Sequence, residues 1–144
     1  MILVDTTILV YALGADHHLR VPCRGLLEGV RDGRVRACTT VEVLQEFAHV
    51  RSRRRPRAEA SARAREYALG FSPLVRPDED DLVHGLEIFE ATASLGSFDA
   101  VLGALALRRG WALASADRSF GDVNGLRHLD PSSPTFLDDL GTAS

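Results

Sequence analysis

Lysine is absent from this sequence: all 17 basic residues are arginine, which reflects genome composition before it reflects chemistry. Aromatic residues make up only 6% of the chain, with a single tryptophan. No apolar run approaches the roughly 18 residues that a membrane-spanning helix needs, so no membrane role is expected. Glycine and proline, 12 and 6 in number, are too few for a fibrous or disordered chain, and nothing recurs at the fixed period of a solenoid or propeller. Two cysteines, Cys23 and Cys38, lie fifteen positions apart with no CxxC, which indicates neither a disulfide framework nor a thiolate zinc site. Both read as buried thiols. The apolar start, Met1 to Ala15, lacks a basic n-region and carries Asp5, unlike a secretory signal, so the expected location is the cytoplasm.

What is present is 144 residues with 45% apolar and 26% charged side chains, the size and balance of one globular domain spanning residues 1–144. A formal net charge of -3 rules out a chain-wide polyanion-binding surface, so any nucleic-acid contact has to be local. One local patch exists: Arg51, Arg53, Arg54, Arg55 and Arg57 put five arginines in seven positions, interrupted by Ser52 and Pro56. Such a run is either a solvated helix end or a contact surface for RNA or a partner, and the sequence weights the two evenly.

Hydrophobic patterning alternates between strands and helices. Met1 to Val4 is a short apolar run closing on Asp5, the pattern of a buried parallel strand, and a helix is expected from Thr6. Arg20 to Arg31 reads as an amphipathic helix stopped at Asp32-Gly33, and Val35 to Cys38 as a second strand. A helix from Thr39, with Val43, Leu44, Phe47 and Val50 at spacings of three and four, runs to the arginine cluster and is broken by Pro56. Arg57 to Leu69 is helix-prone and closes at Gly70; Phe71 to Arg76 is a loop or strand. Pro77 to Glu79 resembles a first helical turn, and Ser97 is the expected N-cap of a buried helix, Phe98 to Arg109. Trp111 to Ser115 and Leu126 to Leu129 supply further strands, with a frayed tail expected after Pro131. The fold class that follows is α/β, with a mostly parallel sheet covered on both faces.

In open parallel sheets ligands bind beyond the carboxyl ends of the strands, which singles out four acids: Asp5, Glu46, Asp99 and Asp117. Taken one at a time each has a plainer use: Asp5 as an N-cap, Asp99 as a first-turn acid, Asp117 as an Asx-turn residue, Glu46 as a solvated side chain. Taken together, carboxylates in one cleft repel one another unless a cation neutralises them. Hard divalent ions do so through oxygen ligands, and the chemistry that follows is phosphodiester hydrolysis by one or two metals.

Four segments carry a resemblance: Ile2-Leu3-Val4-Asp5-Thr6-Thr7, Thr40 to Phe47, Ser97-Phe98-Asp99-Ala100 and Ser115 to Phe120 are similar, in order and over nearly the whole chain, to the motifs of PIN domains. Length and spacing resemble the VapC-type toxins of toxin–antitoxin pairs. The resemblance implies a three-layer α/β/α fold, and an acidic quartet of Asp5, Glu46, Asp99 and Asp117 holding Mg²⁺ or Mn²⁺. It also implies cleavage of an RNA substrate, a homodimer, and a small VapB-like antitoxin as partner. Thr7 stands where Asn or Ser is common in the family, and its hydroxyl can hydrogen-bond a metal-bound water. Ser119 stands where many relatives carry another Asp, which weakens a second metal site; Asp122 is near enough in sequence to substitute. Ser115 matches a family hydroxyl that orients a carboxylate or contacts phosphate.

Among the other polar residues, His17 and His18 read as residues of a helix start rather than ligands or a general base. His49, His84 and His128 have no expected role, and Trp111 is expected in the core. Glu42 and Glu46 share one helix face; Thr39-x-x-Glu42 fits a capping box, which leaves Glu46 for the site. Two alternatives from other classes stay open: a non-catalytic PIN-like binding module, and a phosphatase-like enzyme with Asp5 as nucleophile, which would want an acid at position 7.

Overall fold

The computed structural model describes residues 1–143, in the order β1 (Ile2–Val4), α1 (Thr6–Leu13), α2 (Arg20–Arg31), β2 (Ala37–Cys38), α3 (Val41–Ser52), α4 (Arg57–Gly70), α5 (Glu79–Ala91), α6 (Ser97–Arg108), β3 (Ala112–Ala114), a short 3-10 helix (Arg118–Asp122), β4 (His128–Leu129) and α7 (Phe136–Ala143). The four strands form one sheet in the order β2-β1-β3-β4, every pair parallel. Every residue of β1 and β3 is buried, as parallel strands covered on both faces require. The chain moves from β1 outward to β2, then crosses back over β1 to β3 and on to β4. Right-handed crossovers in opposite directions put their helices on opposite faces, which makes three layers. They also make the gap between β1 and β3 the place where the connections diverge, the point at which such sheets bind ligands.

One continuous apolar core runs from Ile2 to Ala143. Helix α5 lies so close on α6 that a Cβ added to Gly85 would stand 2.6 Å from the Cα of Val101, which explains a glycine in mid-helix. The same pair is clamped at the far end: fully buried Asp81 accepts from Arg108 Nη1 and, at 3.0 Å, from Arg109 Nη1. Trp111 packs half-buried against the core with the Arg109 guanidinium 5.6 Å over its ring.

Several expected boundaries move. The cap of α6 is Gly96, whose carbonyl accepts from Ala100 N–H at 2.9 Å, and Ser97 is the first helical residue. Helix α5 starts at Glu79, with Asp78 and Asp81 forming the capping box, so Pro77 lies outside it. The tail is a helix, not frayed: Phe136, Leu140 and Ala143 are buried and α7 packs on α2. The capping box over Thr39 and Glu42 does not form. Thr40 is the N-cap and accepts from Val43 N–H at 3.1 Å, while the Thr39 hydroxyl donates to Val4 O at 2.8 Å. Glu42 is left with a buried Oε2 that no group among the described residues hydrogen-bonds.

Candidate active site

The end of β1 and the end of β3 meet through hydroxyls. Asp5, 3% exposed, caps α1, and its Oδ2 accepts from Thr7 N–H (3.2 Å), Thr7 Oγ1 (2.7 Å) and Ser115 Oγ (2.7 Å). All three contacts fall on Oδ2, which leaves Oδ1 without a described hydrogen bond. Thr7 Oγ1 in turn accepts from Ala116 N–H at 2.9 Å, and Ser115 Oγ from Asp117 N–H at 3.0 Å. The Thr7 hydroxyl is therefore spent on Asp5, which differs from the expectation that it faces a metal-bound water. Ser115, fully buried, can orient Asp5 but cannot reach a phosphate. His128, given no role from sequence, holds this strand end through a 2.9 Å contact between Nε2 and Ser115 O.

The other acids arrive from different elements. Asp117 caps the short 3-10 helix, its Oδ1 accepting from Ser119 N–H at 2.9 Å. Asp99 is the third residue of α6, at the end of the helix where backbone N–H groups favour a negative charge. Glu46, in the second turn of α3, is held by the Thr6 hydroxyl, which donates to its Oε2 at 2.6 Å. Sequence reasoning missed Thr6; its place in the first turn after Asp5 was the available signal.

Asp5, Glu46, Asp99 and Asp117 line a single cleft of about 300 Å³ with Thr6, Thr7, Val10, Tyr11 and Val50, and no cationic side chain is among the lining residues described. The electrostatic cost shows at Asp99, whose carboxyl is pushed up to about 7 by burial first and then by Asp5, Glu46 and Asp117. Among the described residues no three His, Cys, Asp or Glu side chains close into a ready chelate. That is compatible with Mg²⁺, which takes one or two carboxylates and keeps several waters. The donor set, four hard oxygen ligands with an uncompensated charge, fits a divalent cation.

The remaining expected residues divide. Arg51 is 15% exposed and grips Glu59 of α4 through Nε at 2.9 and 3.1 Å, holding that carboxyl below its usual range; it joins two helices and is not a free contact for RNA. Arg53, Arg54, Arg55 and Arg57 are exposed. Arg54 and Arg55 line a smaller cleft that shares the walls Val10 and Val50 with the acidic one. Asp122 does not substitute for an acid at Ser119: its Oδ2 accepts from Ser94 Oγ at 2.8 Å, outside the acidic cleft. A larger groove, about 1080 Å³ between α3 and α4, has none of the four acids in its lining.

Four carboxylates, carried by the ends of β1 and β3 and by two flanking helices, meet where the connections of a parallel sheet diverge, the arrangement of a nuclease domain. The PIN domain family matches residues 2–126. The chain is 46% identical over 143 residues to Ribonuclease VapC7 of Mycobacterium tuberculosis, covering 98% of this chain and 99% of the relative. It is 34% identical over 133 residues to VapC ribonuclease Mb1869c of Mycobacterium bovis, covering 90% and 99%. The chain belongs to the PIN-domain family, within the VapC ribonucleases.

Proposed function

We propose that this chain is a metal-dependent endoribonuclease, the toxin of a toxin–antitoxin pair, with Asp5, Glu46, Asp99 and Asp117 as its catalytic acids. The observation that carries this reading is the meeting of the four carboxylates in one cleft with no cation among its walls. Asp5 and Asp99 are the first candidates to hold Mg²⁺ or Mn²⁺, with Glu46 and Asp117 joining directly or through water. When bound, the ion supplies charge neutralisation at the phosphate and a water of lowered pKa.

The chain's own residues do the positioning. Thr7 and Ser115 lock Asp5 Oδ2 and leave Oδ1 without a described hydrogen bond. Thr6 fixes Glu46, whose Oε1 is then placed to accept a proton from the attacking water. Arg54 and Arg55 offer cations to the RNA backbone beside the acids. A covalent role for Asp5 is not favoured, because the residue two positions on is Thr7, whose hydroxyl donates to Asp5 and offers no acid.

A VapB-like antitoxin is the protein partner this membership brings. A homodimer is supported by an outward stripe on α5, where Leu82, Val83, Leu86 and Phe89 are each 44–54% exposed. One continuous core supports a single nuclease domain. A cytoplasmic site of action suits two cysteines that remain thiols, and no helix among the described residues is long and apolar enough to cross a membrane.

The decisive experiment is RNA cleavage by the purified chain with Mg²⁺ or Mn²⁺ and with excess EDTA. Cleavage should require the ion and stop with chelator. Undiminished cleavage in EDTA by both the parent and an Asp5→Asn chain would remove the acids from the mechanism.

A further inference from the structure

Tyr11, His17 and His18 take no part in holding the acids, yet their rings form a ladder at the edge of the cleft. Tyr11 lines the acidic cleft itself. Its ring centroid is 4.7 Å from that of His17 with the planes 25° apart, and the His17 centroid is 4.2 Å from that of His18 with the planes at 32°. Both histidines are exposed, so this is not core packing. His17 does serve the start of α2: its Nδ1 accepts from Leu19 N–H at 3.2 Å, which also fixes the plane of the ring. His18 has no such duty among the described contacts, and it ends the ladder with a ring in water.

The surroundings suit one kind of ligand. The ladder runs from Tyr11 in the last turn of α1 into the loop that follows it, and that loop, through Gly14 and Ala15, also walls the cleft of Arg54 and Arg55, which shares the walls Val10 and Val50 with the acidic one. Flat rings and cations set around one phosphodiester-cleaving site are the combination by which proteins hold single-stranded RNA: bases stack while arginines follow the backbone. We propose that Tyr11, His17 and His18 form a stacking subsite that captures an unpaired nucleobase flanking the scissile phosphate. This rests on the ribonuclease reading and adds to it a site for the substrate's base.

The test uses two probes on the full chain. In the first, a single-stranded RNA pool carrying 5-iodouridine is irradiated on the Asp99→Asn chain and crosslinks are mapped by mass spectrometry; they should fall on Tyr11, His17 or His18. In the second, cleavage of a random-sequence RNA pool is followed for His18→Ala, His18→Phe and His17→Asn/His18→Ala, where Asn keeps an acceptor for Leu19 N–H. Loss of the ladder should raise KM about five- to tenfold with kcat within about twofold, and His18→Phe should restore the parent KM. Crosslinks that avoid all three rings, or a KM unmoved by the double substitution in a chain that melts like the parent, would overturn the subsite. No cleavage by the parent chain would overturn the ribonuclease reading instead, and the crosslink map would still decide the ladder.

Discussion

The Thr6 hydroxyl donates to Glu46 Oε2 at 2.6 Å and so ties the first turn of α1 to the second turn of α3, forty positions away in sequence. Val43 O lies 3.4 Å from the same hydroxyl, a longer alternative acceptor for its one proton. Removing the hydroxyl frees the Glu46 carboxylate to rotate without altering its charge. Thr6→Val, nearly isosteric, should lower cleavage about 10- to 100-fold and raise the Mg²⁺ concentration needed for half-maximal rate, in the way that lost support for a metal ligand does. The stability cost should be near 1 kcal/mol. Metal titration of the rate together with thermal melting checks both, and parent-like titration would mean that Glu46 needs no fixing.

Asp99 carries a pH signature. Its carboxyl rises from an ordinary 3.8 to about 7, chiefly through burial and then through the other three acids. The folded, metal-free chain therefore holds this proton where the unfolded chain has released it. Stability contributed by the group falls as pH rises from about 4 to 7 and is fully lost above that window. Asp99→Asn removes the dependence. In EDTA the variant should melt higher than the parent, by a margin that widens from pH 5 to pH 8, while cleavage is abolished. A margin that stays flat with pH would show that Asp99 is not under this strain.

How far the sequence reveals this molecule depends on whether the information is local. Val4 followed by Asp5, and the strand that ends at Ser115, are visible because apolar runs and strand-end acids are short patterns. The α5–α6 clamp is invisible, because Asp81 and Arg108 are polar residues whose burial follows only from their meeting across 27 positions. The helical tail is hidden for a related reason: α7 is stabilised by packing on α2, not by its own propensity. Within the site, the acids lie in motif segments and can be read. The hydroxyls Thr7 and Ser115 can be named from the motifs too, but that both of them serve Asp5 emerges only when the ends of β1 and β3 are brought side by side. Arg51 misled because its partner, Glu59, lies on the next helix.

Glu42 and Glu46 now separate on different grounds from a capping box. Glu46 lines the acidic cleft and is hydrogen-bonded by Thr6, whereas Glu42 has a buried carboxylate oxygen with no partner among the described residues and lies outside that cleft. Glu46→Gln should abolish cleavage with stability nearly intact. Glu42→Gln should keep most of the cleavage and, by removing an unpaired charge next to other acids, should stabilise the chain by up to about 1 kcal/mol. Parallel rate and melting measurements check the pair; an inactive Glu42→Gln with an active Glu46→Gln would reverse the assignment.

The arginine run should split into a structural and a functional part. Arg51 spends its guanidinium on Glu59 and is mostly buried, so Arg51→Ala should lower the melting temperature by loosening the α3–α4 junction, because it breaks a bidentate pair and leaves Glu59 without that partner. Arg54 and Arg55 are exposed beside the acidic cleft, and no described carboxylate pairs with either of them. Replacing both by Glu should leave the melting temperature within a degree or two, since exposed substitutions away from such contacts change stability little. The same change should weaken RNA binding most at low salt. Each phosphate contact on single-stranded RNA contributes about 0.7 to the slope of log K against log salt, so the double variant should flatten that slope by about 1.4 or more. Binding of a fluorescent single-stranded RNA measured across a salt series on the Asp99→Asn background reads this directly. An unchanged slope for the Arg54→Glu/Arg55→Glu chain would return the exposed arginines to the status of a solvated helix end.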